Sequence, residues 1–328
     1  MEAELLSVLR GGKKQCWRML LTQNNLEPDE DVEAVVLLWE GERLIATGSR
    51  KGNLLKCIAV APDSQGQDLT AALLTRLRQD AFAHGHRHLF LYTKPKNRWM
   101  FSSLFFYPVA QTEDVLLMEN RQNGIGTFLD SLDAPCRGGN VGAAVMNCNP
   151  FTLGHRYLIE TAARECDWVY VFVLSEDASL FPAGDRLELV RQGTKDLPNV
   201  TVLPTGPYLI SSATFPTYFL KERDRAGEIH CLLDLEIFLN HFVPRFGIRC
   251  RYVGTEPLSP LTDRYNQVLL ERLPPRGVRV REISRLERQG ISVSASAVRA
   301  LLGTNQPEAV AALVPEATFL YLKNHNLL

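Results

Sequence analysis

Residues 141–155 read VGAAVMNCNPFTLGH, and this stretch decides how the second half of the chain folds. The run 141–146 is apolar and short enough for a buried strand. Pro150 stops it. Gly154 then opens a helix over about 154–166 without a Cβ, so another backbone or a ligand can come close. The first turn of a helix offers unpaired N–H groups and the positive end of its dipole. His155 and Thr152 at that turn supply a ring donor and a hydroxyl for phosphate oxygens. His155 also fits a structural histidine buried under the helix.

Outward from this turn the pattern alternates. Short apolar strands are expected at 168–174, 200–203, 250–253 and 278–283, with amphipathic helices at about 185–195, 214–225, 235–246 and 263–273. That alternation predicts an α/β domain, a parallel sheet covered on both faces, with ligands beyond the carboxyl ends of its strands. Those ends fall at Met146, Ser175, Pro204, Gly254 and Ser284. After the last strand comes ISVSASAVR, residues 291–299, in which Ser294 suits a helix N-cap. Read alone, it is a capped helix with a solvated arginine. Read together with the first turn, Ser294, Ser296 and Arg299 form a cationic, hydroxyl-bearing partner for the β and γ phosphates of a nucleotide.

Ahead of these elements, SLDAPCRGGN (131–140) has a proline, a Gly-Gly pair and no apolar period, so a domain boundary is expected there, dividing 1–135 from 136–328. The first part reads as α+β. Strands are expected at 34–39 and 43–49 around a hairpin turn, then at 54–61, 88–93 and 115–119, with a helix over 69–84 whose face carries Leu69, Leu73, Leu74, Leu77 and Ala81. His84, His86 and His88 suggest a metal site, but they match better a solvated helix end, where cationic histidine is favoured. Trp99, Phe101, Phe105, Phe106 and Tyr107 read as first-domain core, with a partner-docking edge as the other reading.

The composition bounds the function. Of 328 residues 45% are hydrophobic and 22% charged, and the net charge of −1 argues against broad nucleic-acid or membrane-surface binding. The seven cysteines are odd in number and lack CxxC spacing, which argues against a disulfide framework or structural zinc and for a reducing compartment, the cytoplasm. The N-terminus carries no secretory pattern, and no apolar run reaches the ~18 residues that span a bilayer.

Together, 149–155 and 293–299 resemble the nucleotidyltransferase superfamily marked by an HxGH or TxGH element and a distal ISSTxxR element. Asn149 stands where the superfamily usually has aspartate. The resemblance narrows through MNCNPFTLGHRYLIE (146–160), ISSATFPTYFLK (210–221), RYVGTEPLSPLTDRYNQ (251–267), SASAVR (294–299), TKPKNRWMF (93–101) and LLMEN (116–120), all of which look like the citrate lyase ligase family. It implies a Rossmann-like nucleotidyltransferase domain behind a smaller GNAT-like one. It implies that ATP, with Mg²⁺, and acetate give acetyl-adenylate and pyrophosphate. The acetyl group then passes to the prosthetic-group thiol on the acyl carrier subunit of citrate lyase, which activates the lyase. His155, Thr152 and Arg299 are the expected catalytic residues. Met146, Asn147, Asn149, Phe151, Gly154, Gly254, Thr255, Glu256, Ser294 and Ser296 are expected to hold the nucleotide, and no protein metal site is expected. For acetate the candidates are Ser211, Ser212 and Thr214, with Lys221 or Arg186 supplying charge; helix capping and a solvated helix face are the competing account. In the first domain Asp68 and Thr70 stand where a GNAT pyrophosphate loop wants glycine and a small residue. That departure argues against independent acetylation by acetyl-coenzyme A and leaves docking of the carrier or its pantetheine arm.

Overall fold

The computed structural model describes residues 1–176, 179–209, 215–220, 225–256, 260–288 and 291–328. The chain forms two compact units, Met1–Gly124 with Pro216–Ile229, and Ile125–Phe215 with His230–Leu328.

The first unit contains β1 (Glu2–Leu6), α1 (Gly11–Gln23), β2 (Ala34–Glu40), β3 (Arg43–Lys51), β4 (Leu54–Val60), α2 (Leu69–Ala83), β5 (Phe90–Thr93), α3 (Arg98–Ser103), β6 (Tyr107–Gln111) and β7 (Leu116–Glu119). Its seven strands form one sheet in the order β1-β2-β3-β4-β5-β7-β6. Within it β4 and β5 run parallel and every other neighbouring pair is antiparallel. The expected apolar face of α2, Leu69 to Ala81, packs on Val36, Leu38, Ala46, Leu55 and Leu91. Each fully buried leucine there contributes about 1.5–3 kcal/mol over its exposed state. Gly48 permits this packing, since a Cβ there would stand 2.9 Å from Leu77. Trp17, Leu20 and Leu21 of α1 are buried as well. This is the expected α+β arrangement.

Three first-unit expectations change in detail. Phe101 and Phe106 enter the core, but Trp99 and Phe105 are 83% and 66% exposed, so the aromatic run divides between core and surface. His84 ends α2 with Nδ1 2.8 Å from the Asp80 carbonyl, and His88 pairs with Glu119, so these histidines serve separate contacts. Among the described residues no cluster of three or more His, Cys, Asp or Glu is arranged to hold a metal. β1, α1, α3 and β6 are additional to the expected elements.

The second unit holds α4 (Gly124–Ser131), β8 (Val141–Met146), α5 (Leu153–Glu165), β9 (Trp168–Val173), α6 (Ala183–Gly193), β10 (Val200–Pro204), α7 (Ala226–Ile237), α8 (Val243–Phe246), β11 (Cys250–Gly254), α9 (Pro260–Arg272), β12 (Arg279–Ile283), β13 (Glu287–Arg288), β14 (Ile291–Ser292), α10 (Ala295–Leu301), α11 (Pro307–Ala311) and α12 (Glu316–Asn324), with α7 beginning in the first unit's segment. Its main sheet is parallel, in the order β10-β9-β8-β11-β12. One face meets α5 and α6 through Val169, Val171, Val173, Ile159, Leu189 and Val190. On the other, Tyr170 and Phe172 pack against Phe242 and Phe246. This is the doubly wound, Rossmann-like α/β fold that the alternation predicts.

A helix over 214–225 is not present in the described part of that range: Phe215–Leu220 is irregular, and Pro216 opposes helix continuation. The boundary also differs in position from the Gly-rich stretch. The residues ahead of it pack on the second unit: Tyr170 donates to the Pro135 carbonyl, Arg245 binds Asp130 at 3.0 Å, and Phe128 lies so close to Gly206 that a Cβ there would stand 2.5 Å from the ring. Conversely, Tyr218 donates to the Tyr92 carbonyl at 2.8 Å, tying its segment to the first unit.

Candidate active site

The strand order reverses direction between β8, the first strand of this sheet along the chain, and β11, its neighbour on the side away from β9. Loops leaving these two strands part company, and a crevice opens beyond their carboxyl ends. A cleft of about 750 Å³ lies there, walled by Val145–Asn147, Val253–Glu256 and Ile283–Leu286, with the start of α5 and residues 293–296.

Helix α5 begins with a reciprocal cap. The Thr152 hydroxyl accepts from the His155 backbone N–H at 3.4 Å, and the Thr152 N–H donates to His155 Nδ1 at 3.1 Å. Because Nδ1 accepts a backbone proton, the neutral ring carries its own proton on Nε2. Burial, then the Arg285 cation, push the His155 pKa down to about 4. The result is a neutral imidazole of fixed tautomer, stacked beside Phe151 at a centroid distance of 6.0 Å. Thr152 is 1% exposed, so its hydroxyl orients His155.

Gly154 has a local reason as well as a functional one. A Cβ there would lie 2.6 Å from the Val293 carbonyl oxygen, so only glycine lets α5 begin this close to the segment that carries Ser294 and Ser296. Arg299 Nη1 donates to the Asn149 carbonyl at 2.5 Å and Nη2 to Ser296 Oγ at 3.1 Å. The Leu153 N–H donates to the Leu313 carbonyl. The two motifs, far apart in the chain, are thus pinned together. Ser294 caps α10 by accepting from Ala297 N–H, and Ser296 Oγ accepts from Arg299; among the described residues neither hydroxyl donates.

The structure places Met146, Asn147, Thr152, Gly154, His155, Gly254, Thr255, Glu256, Ser294 and Ser296 on the cleft wall. Asn149, Phe151 and Arg299 stand behind it. Asn149 Oδ1 accepts from the Phe181 N–H at 3.1 Å, Phe151 is buried under α5, and Arg299 braces both motifs. Arg186 is fully buried. Its guanidinium donates to the carbonyls of Phe181, Asn147 and Glu176 and to Asn147 Oδ1, so it secures the loop after β8. Ser211, Ser212, Thr214 and Lys221 lie outside the described residues.

The sequence reading missed Arg285 and Asn266. Arg285 faces the cleft, donating from Nε to the Thr255 carbonyl at 2.8 Å and pairing with Glu256. Asn266 on α9, 3% exposed, donates to the Gly254 carbonyl at 2.8 Å. A polar residue at the end of the last parallel strand was the available signal for Arg285. Asn266 sits mid-helix, where periodicity says nothing of its partner.

Residues 141–322 match the family model described as the citrate lyase ligase C-terminal domain. A relative from Klebsiella pneumoniae, named [Citrate [pro-3S]-lyase] ligase, is 44% identical over 308 residues, which covers 92% of this chain and 90% of the relative. The chain belongs to the citrate lyase ligase family. Another member, from Escherichia coli K12 and of the same name, is 41% identical over 313 residues, 93% of this chain and 88% of its own. Among solved structures, an acyl-CoA N-acyltransferase from Pseudomonas aeruginosa is 13% identical over 37% of this chain and 100% of its own, with a TM-score of 0.32. Among the described residues no helix is long and apolar enough to cross a membrane.

Proposed function

We propose that this ligase condenses acetate with ATP in the second unit's cleft, forming acetyl-adenylate and pyrophosphate. A carboxylate oxygen bonds to the α-phosphorus while the bond to the bridging oxygen breaks and its electron pair leaves on pyrophosphate. The thiol of the prosthetic group on the citrate lyase acyl carrier subunit then attacks the acyl carbon, AMP departs, and the lyase gains its acetyl group. The free cysteines fit a reducing compartment, and the cytoplasm is the proposed location.

The observation that carries this reading is the fixed His155 tautomer at a helix start pinned to 293–299. The chemistry needs positioning and charge stabilisation more than covalent help. His155 donates from Nε2–H to oxygens of the α and β phosphates, aided by the N–H groups that open α5, and Thr152 holds its ring. Ser294 and Ser296 donate to the β and γ phosphates, with Arg299 and Arg285 adding permanent positive charge. Met146, Asn147 and Gly254 to Glu256 wall the adenosine, and Asn149 and Phe151 support that wall. Gly254 suits this role, because a Cβ there would meet protein atoms only at ordinary contact, 3.7 Å or more. Glu256, the carboxylate on the cleft wall, is already paired with Arg285, so Mg²⁺ fits as a companion of the nucleotide phosphates and supplies charge neutralisation there. Arg186, through its hydrogen bonds to Asn147, supports the adenosine wall.

The test is acetate-dependent exchange of labelled pyrophosphate into ATP by the purified chain with Mg²⁺. Exchange that requires acetate supports the reading. ATP binding without exchange, in the presence of the carrier protein as well, turns the assignment toward adenylyl transfer to a phosphate-bearing acceptor.

A further inference from the structure

Strand β11 sends its side chains to the two faces of the sheet in turn. Tyr252 and Gly254 face α5: the Tyr252 hydroxyl is 2.9 Å from Glu165, and Gly254 lies beside Leu158. Arg251 points to the opposite face. Its guanidinium lies 4.6 Å over the ring of Phe238, on the side where Phe172 packs against Phe242. It is 3% exposed and also lines the cleft that His155 lines. Nε and Nη1 of Arg251 are buried and meet no hydrogen-bond partner among the described residues. Asp234 takes the hydroxyl proton bond of Tyr265, and among the described residues it forms no ion pair with Arg251. The cleft's other arginine, Arg285, has Glu256.

A desolvated guanidinium with unmet donors is disfavoured until an anion reaches it. Displacement at the α-phosphorus also needs the entering oxygen in line with, and opposite to, the departing one. The groups assigned to pyrophosphate, His155 with Ser294 and Ser296, belong to the α5 side of the sheet. A cation for the incoming carboxylate belongs on the other side, where Arg251 stands.

We propose that Arg251 binds the carboxylate of the acid substrate, presenting its planar fork of N–H donors while Phe238 backs the guanidinium plane. This rests on the adenylation reading above. In the step itself Arg251 stays protonated. It holds one carboxylate oxygen while the other bonds to phosphorus, and pyrophosphate takes the electron pair of the broken bond.

The experiment is pyrophosphate exchange by the full chain, varying acetate and ATP separately, for wild type, Arg251→Met and Arg251→Lys. The KM for acetate should rise about tenfold or more in Arg251→Met and less in Arg251→Lys, which keeps the charge, while the KM for ATP stays within about twofold. A folded Arg251→Met chain with an unchanged KM for acetate overturns the proposal. So does an equal rise in both KM values, which would make Arg251 a phosphate ligand or a structural residue. Crystals of the wild-type chain with acetate and a non-hydrolysable ATP analogue give a readout free of folding defects. The acetate carboxylate should sit within hydrogen-bond distance of Arg251, and a carboxylate seated elsewhere overturns the assignment. Wild type that exchanges nothing with acetate while acetate still sits on Arg251 counts against the adenylation chemistry and leaves the binding residue standing.

Discussion

Two clefts of nearly equal size, one in each unit, differ in the helix that opens onto each. The first unit's cleft, about 740 Å³, lies where β4 and β5 separate after pairing through Leu54 and Leu55, and it takes in Gln65, Gly66, Asp68 and Thr70 at the start of α2. Asp68 there has φ +55°, a left-handed conformation that glycine enters without cost, and its side chain caps nothing. The second unit's cleft, about 750 Å³, lies against α5, where Thr152 and His155 cap one another and Gly154 admits a neighbouring backbone. Both helices point a dipole at a cavity. One start brings a carboxylate to it and the other a fixed neutral donor. On the reading proposed above, the residues of the first turn, and neither volume nor helix direction, set the phosphate site apart.

The largest effect expected from breaking this contrast is at His155. His155→Ala should lower acetate-dependent pyrophosphate exchange by about 10²–10³-fold, as loss of one transition-state donor does elsewhere, with the thermal midpoint showing that the chain remains folded. Activity within a few fold of wild type would remove the imidazole from the chemistry. Arg299→Ala should cost about tenfold to a hundredfold in the same assay, since it takes away a cation and the link from 299 to Asn149. An unchanged rate in a folded variant would reduce Arg299 to a surface brace.

Gly154→Ala sharpens the comparison from the side of packing. Its Cβ would press on the Val293 carbonyl at 2.6 Å, and we expect about 1–3 kcal/mol of destabilisation in denaturant unfolding. A stable variant would mean that the 293–296 segment yields easily. The pH dependence is subtler. His155 in the folded chain has its pKa lowered from 6.5 to about 4, so the unfolded chain binds that proton more readily. The contribution of neutral His155 is then complete above pH 6.5 and is lost as pH falls toward 4. The thermal midpoint should fall across that window, and less steeply in His155→Gln; parallel curves would place the acid sensitivity elsewhere. The smallest effect belongs to Asp68→Gly, which relieves the left-handed position. A gain of about 0.5–1 kcal/mol with exchange unchanged is expected, and a loss of stability would show that the Asp68 carboxylate has a partner role of its own.

Much of this was legible in the sequence, for reasons that differ by region. β8 and β9 are short apolar runs buried on both faces, while β12 (RVREI) is largely exposed, yet β8, β9, β10, β11 and β12 all fall within a residue or so of the expected ranges. The amphipathic α2 was readable from its leucine spacing. β1 was not, because a five-residue edge strand with alternating exposure carries little signal, and α1 begins with two glycines that oppose helix propensity. At the site, residue types on the wall were readable from the motifs, while their partners were not. Arg186 looked like a free cation and is enclosed by carbonyls. Arg251 looked like an ordinary strand residue, because a sequence does not record which buried donors lack acceptors.

The hydrogen bond from Arg299 to the Asn149 carbonyl joins residues 150 positions apart. During synthesis on the ribosome, the T-x-G-H turn emerges long before its partner segment exists. Until residues 293–299 have left the exit tunnel, the Asn149 carbonyl lacks this arginine and the face of Gly154 lacks the Val293 backbone. The nascent chain therefore lacks this part of the cleft wall until nearly all of the second unit has been made. A chain terminated ahead of residue 293 should fold its parallel sheet and still lack the finished site.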